Sequence, residues 1–209
     1  MSGIPMDRAA YEAEERAATN RLGMWTFLAT EVMFFGGMFV AYVLYRSSYP
    51  DAFAVGSRTM ELGCGTANTA VLLVSSFFMA LGDRAARKGD RGALRGCLVL
   101  VALLGMAFLA IKGYEYASKV DEGLIPGRGF RYPGPPQLPL FMTLYFAMTG
   151  LHALHMILGV CAVAWLLWRS SPRRHQSVPV EPVAIVGLYW HFVDCIWIFL
   201  YPLFYLIGR

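Results

Sequence analysis

Two pairs of polar residues are set into apolar stretches at helical spacing. His152 and His155 lie in "GLHALHMILG", and His191 and Asp194 lie in "YWHFVDCIWIFLYPLFYLIG". Each pair is spaced i, i+3, so on a helix each pair shares one face. A fifth ionisable residue, Glu31, interrupts the run "RLGMWTFLATEVMFFGGMFV". Such groups are costly in hydrocarbon, and where they occur they face a bundle interior and mark candidate functional sites. Three chemistries are open to the set: a buried polar cluster that fixes helix packing, a lipid-headgroup or proton-handling site, and ligation of a metal or haem. A carboxylate beside histidines is the arrangement that makes burial of either tolerable. Membrane cytochromes of b type hold haem between histidines of different helices, so His152 or His155 opposite His191 keeps one haem open on spacing. The recurring histidine pairs of a two-haem site are absent. No H-E-x-x-H, P-loop, G-x-S-x-G or G-x-G-x-x-G motif occurs, and no nucleophile is paired with a base.

The elements that must position these residues follow from composition. Of the 209 residues, 57% are hydrophobic and only 15% are charged, with a mean hydropathy of +0.49. A soluble domain carries about a quarter charged residues, so the balance points to a membrane protein. The net charge of +4 is modest, and no basic run is interleaved with aromatics, which argues against nucleic acid as a partner. Cys64, Cys97, Cys161 and Cys195 are scattered with no C-x-x-C, and read as small hydrophobes in helices.

A spanning helix needs about 20 apolar residues. Five segments meet or approach this: residues 22–45, 62–82, 96–118 (with Lys112 and Glu115 near its end), 138–168 and 183–208. The reading is an all-α integral membrane protein, a single bundle of five transmembrane helices over 21–209 preceded by a polar segment over 1–20. That segment lacks the apolar core of a signal peptide, so the first apolar run is expected to be kept as a span. At 1.5 Å per residue, Glu31, His191 and Asp194 lie about 15, 12 and 16 Å from one end of the bundle, and His155 about 20 Å, so spans one, four and five bring them to similar depth if they pack together. Eleven Lys and Arg fall in the loops on the N-terminal side and seven on the other. The bias places the N-terminus in the cytoplasm and the C-terminus outside. The loop "EGLIPGRGFRYPGPPQLP" is expected to be irregular. Gly36, Gly37, Gly63, Gly65, Gly105, Gly150 and Gly159 are candidates for close helix approach.

Five stretches, in order, resemble one family, subunit III of haem–copper terminal oxidases, over about residues 21–208. They are "LGMWTFLATEVMFFGGMFVAY", with Thr30 where the family usually has Ser before the intramembrane Glu; "NTAVLLVSS"; "YEYAS" followed by "EGLIPG"; "GLHALHMILG", similar to a G-x-H-x-x-H-x-x-x-G pattern; and "YWHFVDCIWIFLYPLFYLIG", similar to W-H-F-x-D-x-x-W. Asn68, Thr69, Ser75 and Trp190 belong to these packing motifs. The chain resembles the short bacterial form. Long members have seven helices, the first two leaning away to leave a phospholipid-holding cleft; in five-helix members those two are typically appended to subunit I. Glu181 is three positions earlier than the family's usual acidic residue there, and the resemblance carries no role to it.

The resemblance implies an accessory subunit with no cofactor of its own and no catalytic residue. Haem and copper lie in partner subunits I and II, and bound phospholipid is expected. The chain would dock on subunit I, hold lipid and support proton uptake in a proton-pumping oxidase of a bacterial plasma membrane. Glu31, His152, His155, His191 and Asp194 would form the buried polar centre, with Glu31 paired or protonated. Cytochrome c is the expected electron donor, because span one carries Glu and the loop reads "EGLIPG". A quinol oxidase subunit III and a relative linked to nitric oxide reduction are alternatives. A free-standing b-type cytochrome and a proton-coupled transporter are more distant ones, the latter disfavoured by the lack of an inverted repeat.

Overall fold

The computed structural model describes residues 8–127, 130–171 and 180–208. Arg128, Arg173, Arg174 and Arg209, which enter the charge asymmetry, lie outside the described residues, as do the first seven residues of the polar N-terminal segment. Among the described residues the chain forms six α-helices, not five: α1 (Arg8–Ser48), α2 (Pro50–Arg58), α3 (Leu62–Arg87), α4 (Arg91–Asp121), α5 (Leu138–Arg169) and α6 (Val180–Tyr201), followed by a π-helical turn, Pro202–Leu206. Five are long and apolar enough to cross a membrane. The extra helix, α2, is nine residues long. It is too short to span, and Pro50 in its first turn supplies a pre-set φ at a position whose N–H needs no partner. The first span is also longer than its apolar run, because the polar residues from Arg8 onward continue the same helix.

Local chemistry sets the breaks. At the end of α3, Gly89 takes φ +75°, its N–H donates to the Ala86 carbonyl, and the Asp90 N–H reaches back to the Ala85 carbonyl. This closes the helix in a left-handed turn that a residue with a Cβ adopts only at a cost. Asp90 then caps α4 by accepting from the Ala93 N–H at 2.9 Å. The two helices are thereby folded back as a hairpin. Gly123 ends α4 in the same way, at φ +73°, and Leu124 just after it is fully buried. At the other end of the chain, Pro202 has no N–H to donate to the α6 ladder, and the last turn widens to π geometry.

Helices α3, α4, α5 and α6 form most of the core, and α1 packs at its edge, mainly on α6 and also against α2 and α5, adding Phe35 and Tyr42 to the core. The distribution of polarity is inverted relative to a soluble bundle. Lys112, Glu115, Asn68 and His152 are buried, while Met33 (79% exposed), Leu22, Phe77 and Phe199 face outward. In lipid this is the favourable order, because apolar surface gains nothing by leaving hydrocarbon while polar groups do.

Helix contact is then set by small residues and by hydrogen bonds. Trp190 of α6 is wedged between α4 and α5: a Cβ on Gly105 would come within 2.9 Å of its ring, and one on Gly159 within 3.1 Å. Gly65 of α3 gives the same room to Tyr205. Gly36, Gly37 and Gly63 do not serve this purpose within the chain, since a Cβ there meets open space. At Gly150 it makes only an ordinary contact with the Tyr116 hydroxyl.

Candidate functional site

Glu31 on α1 faces α5. Its Oε2 lies 3.2 Å from His155 Nε2. The other ring nitrogen of His155, Nδ1, is 2.9 Å from the Leu151 carbonyl oxygen. A carbonyl oxygen only accepts, so Nδ1 carries a hydrogen and Nε2 is the atom that meets the carboxyl. The contact is one of proximity, since Glu31 Oε2 has no hydrogen-bond partner among the described residues. Phe35 and Tyr189 pack on the His155 ring, and the Tyr189 hydroxyl donates to the His155 backbone carbonyl at 3.0 Å. This couples α1, α5 and α6 at one level.

Of the other residues of the expected cluster, His152 lines the same small void as His155, and His191 and Asp194 have different neighbours. His191 on α6 pairs through Nδ1 with the Ser76 hydroxyl of α3 at 2.7 Å. Ser76 also neighbours the Asp194 carboxyl, whose two oxygens otherwise have no hydrogen-bond partner among the described residues. His152 lies against Phe108 of α4 and Trp197 of α6, with ring centroids at 5.4 and 5.2 Å. Neither of its nitrogens has a hydrogen bond among the described residues. The five residues are thus distributed over three contacts: α1–α5 (Glu31, His155), α3–α6 (His191, Asp194) and α4–α5–α6 (His152). Among the described residues no three His, Cys, Asp or Glu side chains converge in a metal-ligand arrangement.

The packing-motif residues bind α6 to α3. Trp190 Nε1 donates to Ser75 Oγ and Trp197 Nε1 donates to Thr69 Oγ1, each at 3.1 Å. Asn68 is fully buried beside them, with no partner for its amide among the described residues.

The most complete polar network is one that the sequence analysis did not assign. Lys112 Nζ donates to Glu115 Oε2 at 2.9 Å, to Tyr145 Oη at 3.0 Å and to Tyr205 Oη at 2.9 Å. An ammonium has three donors, and all three are used. Tyr205 Oη in turn donates to the Glu115 carboxylate, at 2.6 Å from Oε1. Lys112 is 2% exposed and Glu115 0%. The ammonium also stands 4.9 Å from the Tyr145 ring centroid and 5.2 Å from that of Trp197, within cation–π range. The network ties α4 to α5 and to the π turn after α6. A signal for it was present: Lys-x-x-Glu within an apolar run places opposite charges on one helix face. The two tyrosines, 33 and 93 residues away from Lys112, carried no such signal.

Comparison with known proteins points to one family. The family model for cytochrome c oxidase subunit III matches residues 10–121 and 137–209. The chain is 35% identical to a cytochrome c oxidase subunit 3 of Thermostichus vulcanus, over 96% of this chain and 94% of that protein. It is also 35% identical to the cytochrome c oxidase subunit 3 of Synechocystis sp., over 88% of this chain and 74% of that protein. A probable quinol oxidase subunit 3 of Staphylococcus haemolyticus is 30% identical, over 90% of this chain and 89% of that protein. With five membrane-length helices and a match along nearly its whole length, the chain belongs to the cytochrome c oxidase subunit III family.

Proposed function

We propose that this chain is the non-redox accessory subunit of a proton-pumping haem–copper oxidase that takes electrons from cytochrome c. In this reading the haems and copper lie in subunits I and II. The chain packs against subunit I, holds phospholipid at its flank and sustains proton uptake. It resides in a bacterial inner membrane with its N-terminus in the cytoplasm. The observation that carries the reading is the 35% identity to a cytochrome c oxidase subunit 3 over nearly the full length of both chains. The geometry agrees with a structural role for the histidines. His155 is engaged by Glu31 and Leu151, His191 by Ser76, and His152 packs against two aromatic rings. A haem held between any two of them requires these contacts to break. Quinol as donor is the second reading, favoured by the similarity to the staphylococcal relative.

The test is gentle affinity purification from native membranes, with the co-purifying chains identified by mass. Recovery of a many-helix haem subunit and a copper-site subunit, with oxygen consumption driven by reduced cytochrome c, is the expected result. Consumption driven by quinol alone moves the donor to the second reading. Recovery of the chain by itself, with a haem band in its reduced-minus-oxidised spectrum, overturns the proposal in favour of a b-type cytochrome.

A further inference from the structure

The Lys112–Glu115 network holds one phenol in an arrangement suited to the loss of an electron. Tyr205 is fully buried, and its hydroxyl donates to the Glu115 carboxylate, at 2.6 Å from Oε1. That is the length of a charge-assisted O–H···O⁻ bond. A phenol that gives up an electron becomes a strong acid, so its oxidation is easiest where a base already holds the proton. The other phenols with printed donor bonds among the described residues have no such base. Tyr201 and Tyr116 donate to the hydroxyls of Thr66 and Thr149, which spend their own hydrogens on backbone carbonyls. Tyr42 and Tyr189 donate to backbone carbonyls. Tyr145 receives a hydrogen bond from the Lys112 ammonium, which opposes removal of an electron.

The rings beside Tyr205 form a path to the surface. Its ring centroid is 6.4 Å from that of Trp197 and 5.6 Å from that of Tyr201, on which it stacks with an interplanar angle of 29°. Tyr201 is half-buried and bonds to exposed Thr66, so the path opens on the outer side of α3 and α6. Electron transfer falls off exponentially with separation, and rings in contact exchange electrons readily. The positive charge left behind also has a place to reside. On Trp197 it would stand 5.2 Å from the Lys112 ammonium, with only the Thr69 hydroxyl as acceptor for the indole N–H. On Tyr205 the proton moves to Glu115 and the ring stays neutral. The charge then rests on Lys112, which keeps its hydrogen bonds to both tyrosines and its place 4.9 Å from the Tyr145 ring centroid.

We propose that Tyr205 is a one-electron donor that quenches oxygen-centred radicals of the peroxyl class at the outer side of α3 and α6. A neutral radical is the class that reaches this apolar surface, because a charged oxidant pays to enter it. The electron passes from Tyr205 through Tyr201 to ROO•. The Tyr205 O–H bond breaks, and its proton forms an O–H bond on Glu115. The reduced ROO⁻ takes a proton from interfacial water and becomes the hydroperoxide ROOH. Tyr205 is left as a neutral tyrosyl radical and Glu115 as a neutral acid. The step uses only this chain and the radical, so it stands apart from the reading of the chain as an oxidase subunit.

The test uses the purified full chain in detergent, with 3-fluorotyrosine in place of Tyr205 and, in separate samples, of Tyr201 or Tyr116. A lipid-soluble azo initiator under oxygen supplies peroxyl radicals, and samples frozen during the reaction are read by electron paramagnetic resonance. Fluorine keeps the ring and the hydroxyl, and its nuclear spin splits the signal of a radical on the labelled ring. A tyrosyl signal split by the label at Tyr205 and not at Tyr116 is expected. Glu115→Gln is expected to lower the radical yield several-fold, and Tyr201→Phe to slow its appearance. A signal split only by the label at Tyr201 or Tyr116 overturns the proposal. So does a tryptophan radical alone, or consumption of the initiator with no protein radical. The labelled chains retain every hydrogen-bonding group, so these outcomes hold even where Glu115→Gln fails to fold.

Discussion

Glu115→Leu and Lys112→Met, singly and together, test the network that closes the C-terminal end of the bundle. Glu115 receives hydrogen bonds from Lys112 and Tyr205, and Lys112 gives its three to Glu115, Tyr145 and Tyr205. Removing one partner of a buried ion pair leaves the other charge uncompensated, at a cost of about 3–5 kcal/mol. The loss has a ceiling, because the stranded ion can shed its charge: neutralising an ordinary carboxylate at pH 7 costs about 4 kcal/mol and an ordinary ammonium about 5 kcal/mol. Each single variant is thus expected to lose about 3–4 kcal/mol. The double variant loses no charge balance, only the polar partners of the Tyr145 and Tyr205 hydroxyls, at about 1–3 kcal/mol for an unsatisfied buried group. Its loss should therefore be similar to either single loss and well short of their sum, which is a coupling of about 3 kcal/mol between the two sites. The assay is reversible unfolding of the detergent-solubilised chain by titration with a denaturing detergent, followed by tryptophan fluorescence, since Trp197 borders the ammonium. Additive losses, or single losses below about 1 kcal/mol, refute the claim that this network acts as one unit.

Two further outcomes follow from other contacts. In the purified oxidase, Glu31→Gln and His155→Phe are each expected to shorten the number of turnovers before inactivation by several-fold with the initial rate preserved, and the double variant to be no worse than either. Unchanged lifetime, lipid content and assembly in Glu31→Gln removes any special role for the pair. Gly105→Ala is expected to destabilise the chain by about 1–3 kcal/mol, because the new methyl overlaps Trp190. Gly36→Ala, with open space around it, is expected to leave unfolding of the isolated chain unchanged, and the same denaturation assay compares the two.

The five spans were legible in the sequence because membrane crossing depends on local hydropathy over about 20 residues. The resemblance also followed from short motifs, and the family match covers all of them except "EGLIPG", which lies between its two matched segments. Helix α2 was missed because nine residues between two long apolar runs are too short to show a periodic signal. The reading stopped the first helix near residue 22 because lipid solubility ends there, yet the backbone hydrogen-bond ladder of α1 needs no apolar side chains and continues back to Arg8.

Partnership was the part that sequence could not decide. Residue type and spacing identified Glu31, His152, His155, His191 and Asp194 as ionisable groups within apolar spans, with similar depth expected for Glu31, His155, His191 and Asp194. Which of them touch depends on the rotation of each helix about its axis, and helix rotation is settled by packing across the bundle. The wedge of Trp190 between Gly105 and Gly159 is one such packing constraint. The tertiary structure gives Glu31 to His155 and His191 to Ser76, and packs His152 between Phe108 and Trp197. It also completes the Lys112–Glu115 pair with a tyrosine from beyond the last α-helix. Sequence alone determined that charge is carried into the membrane. The fold decided which groups share it, because a charge buried in low dielectric persists only where three-dimensional contact supplies its partner.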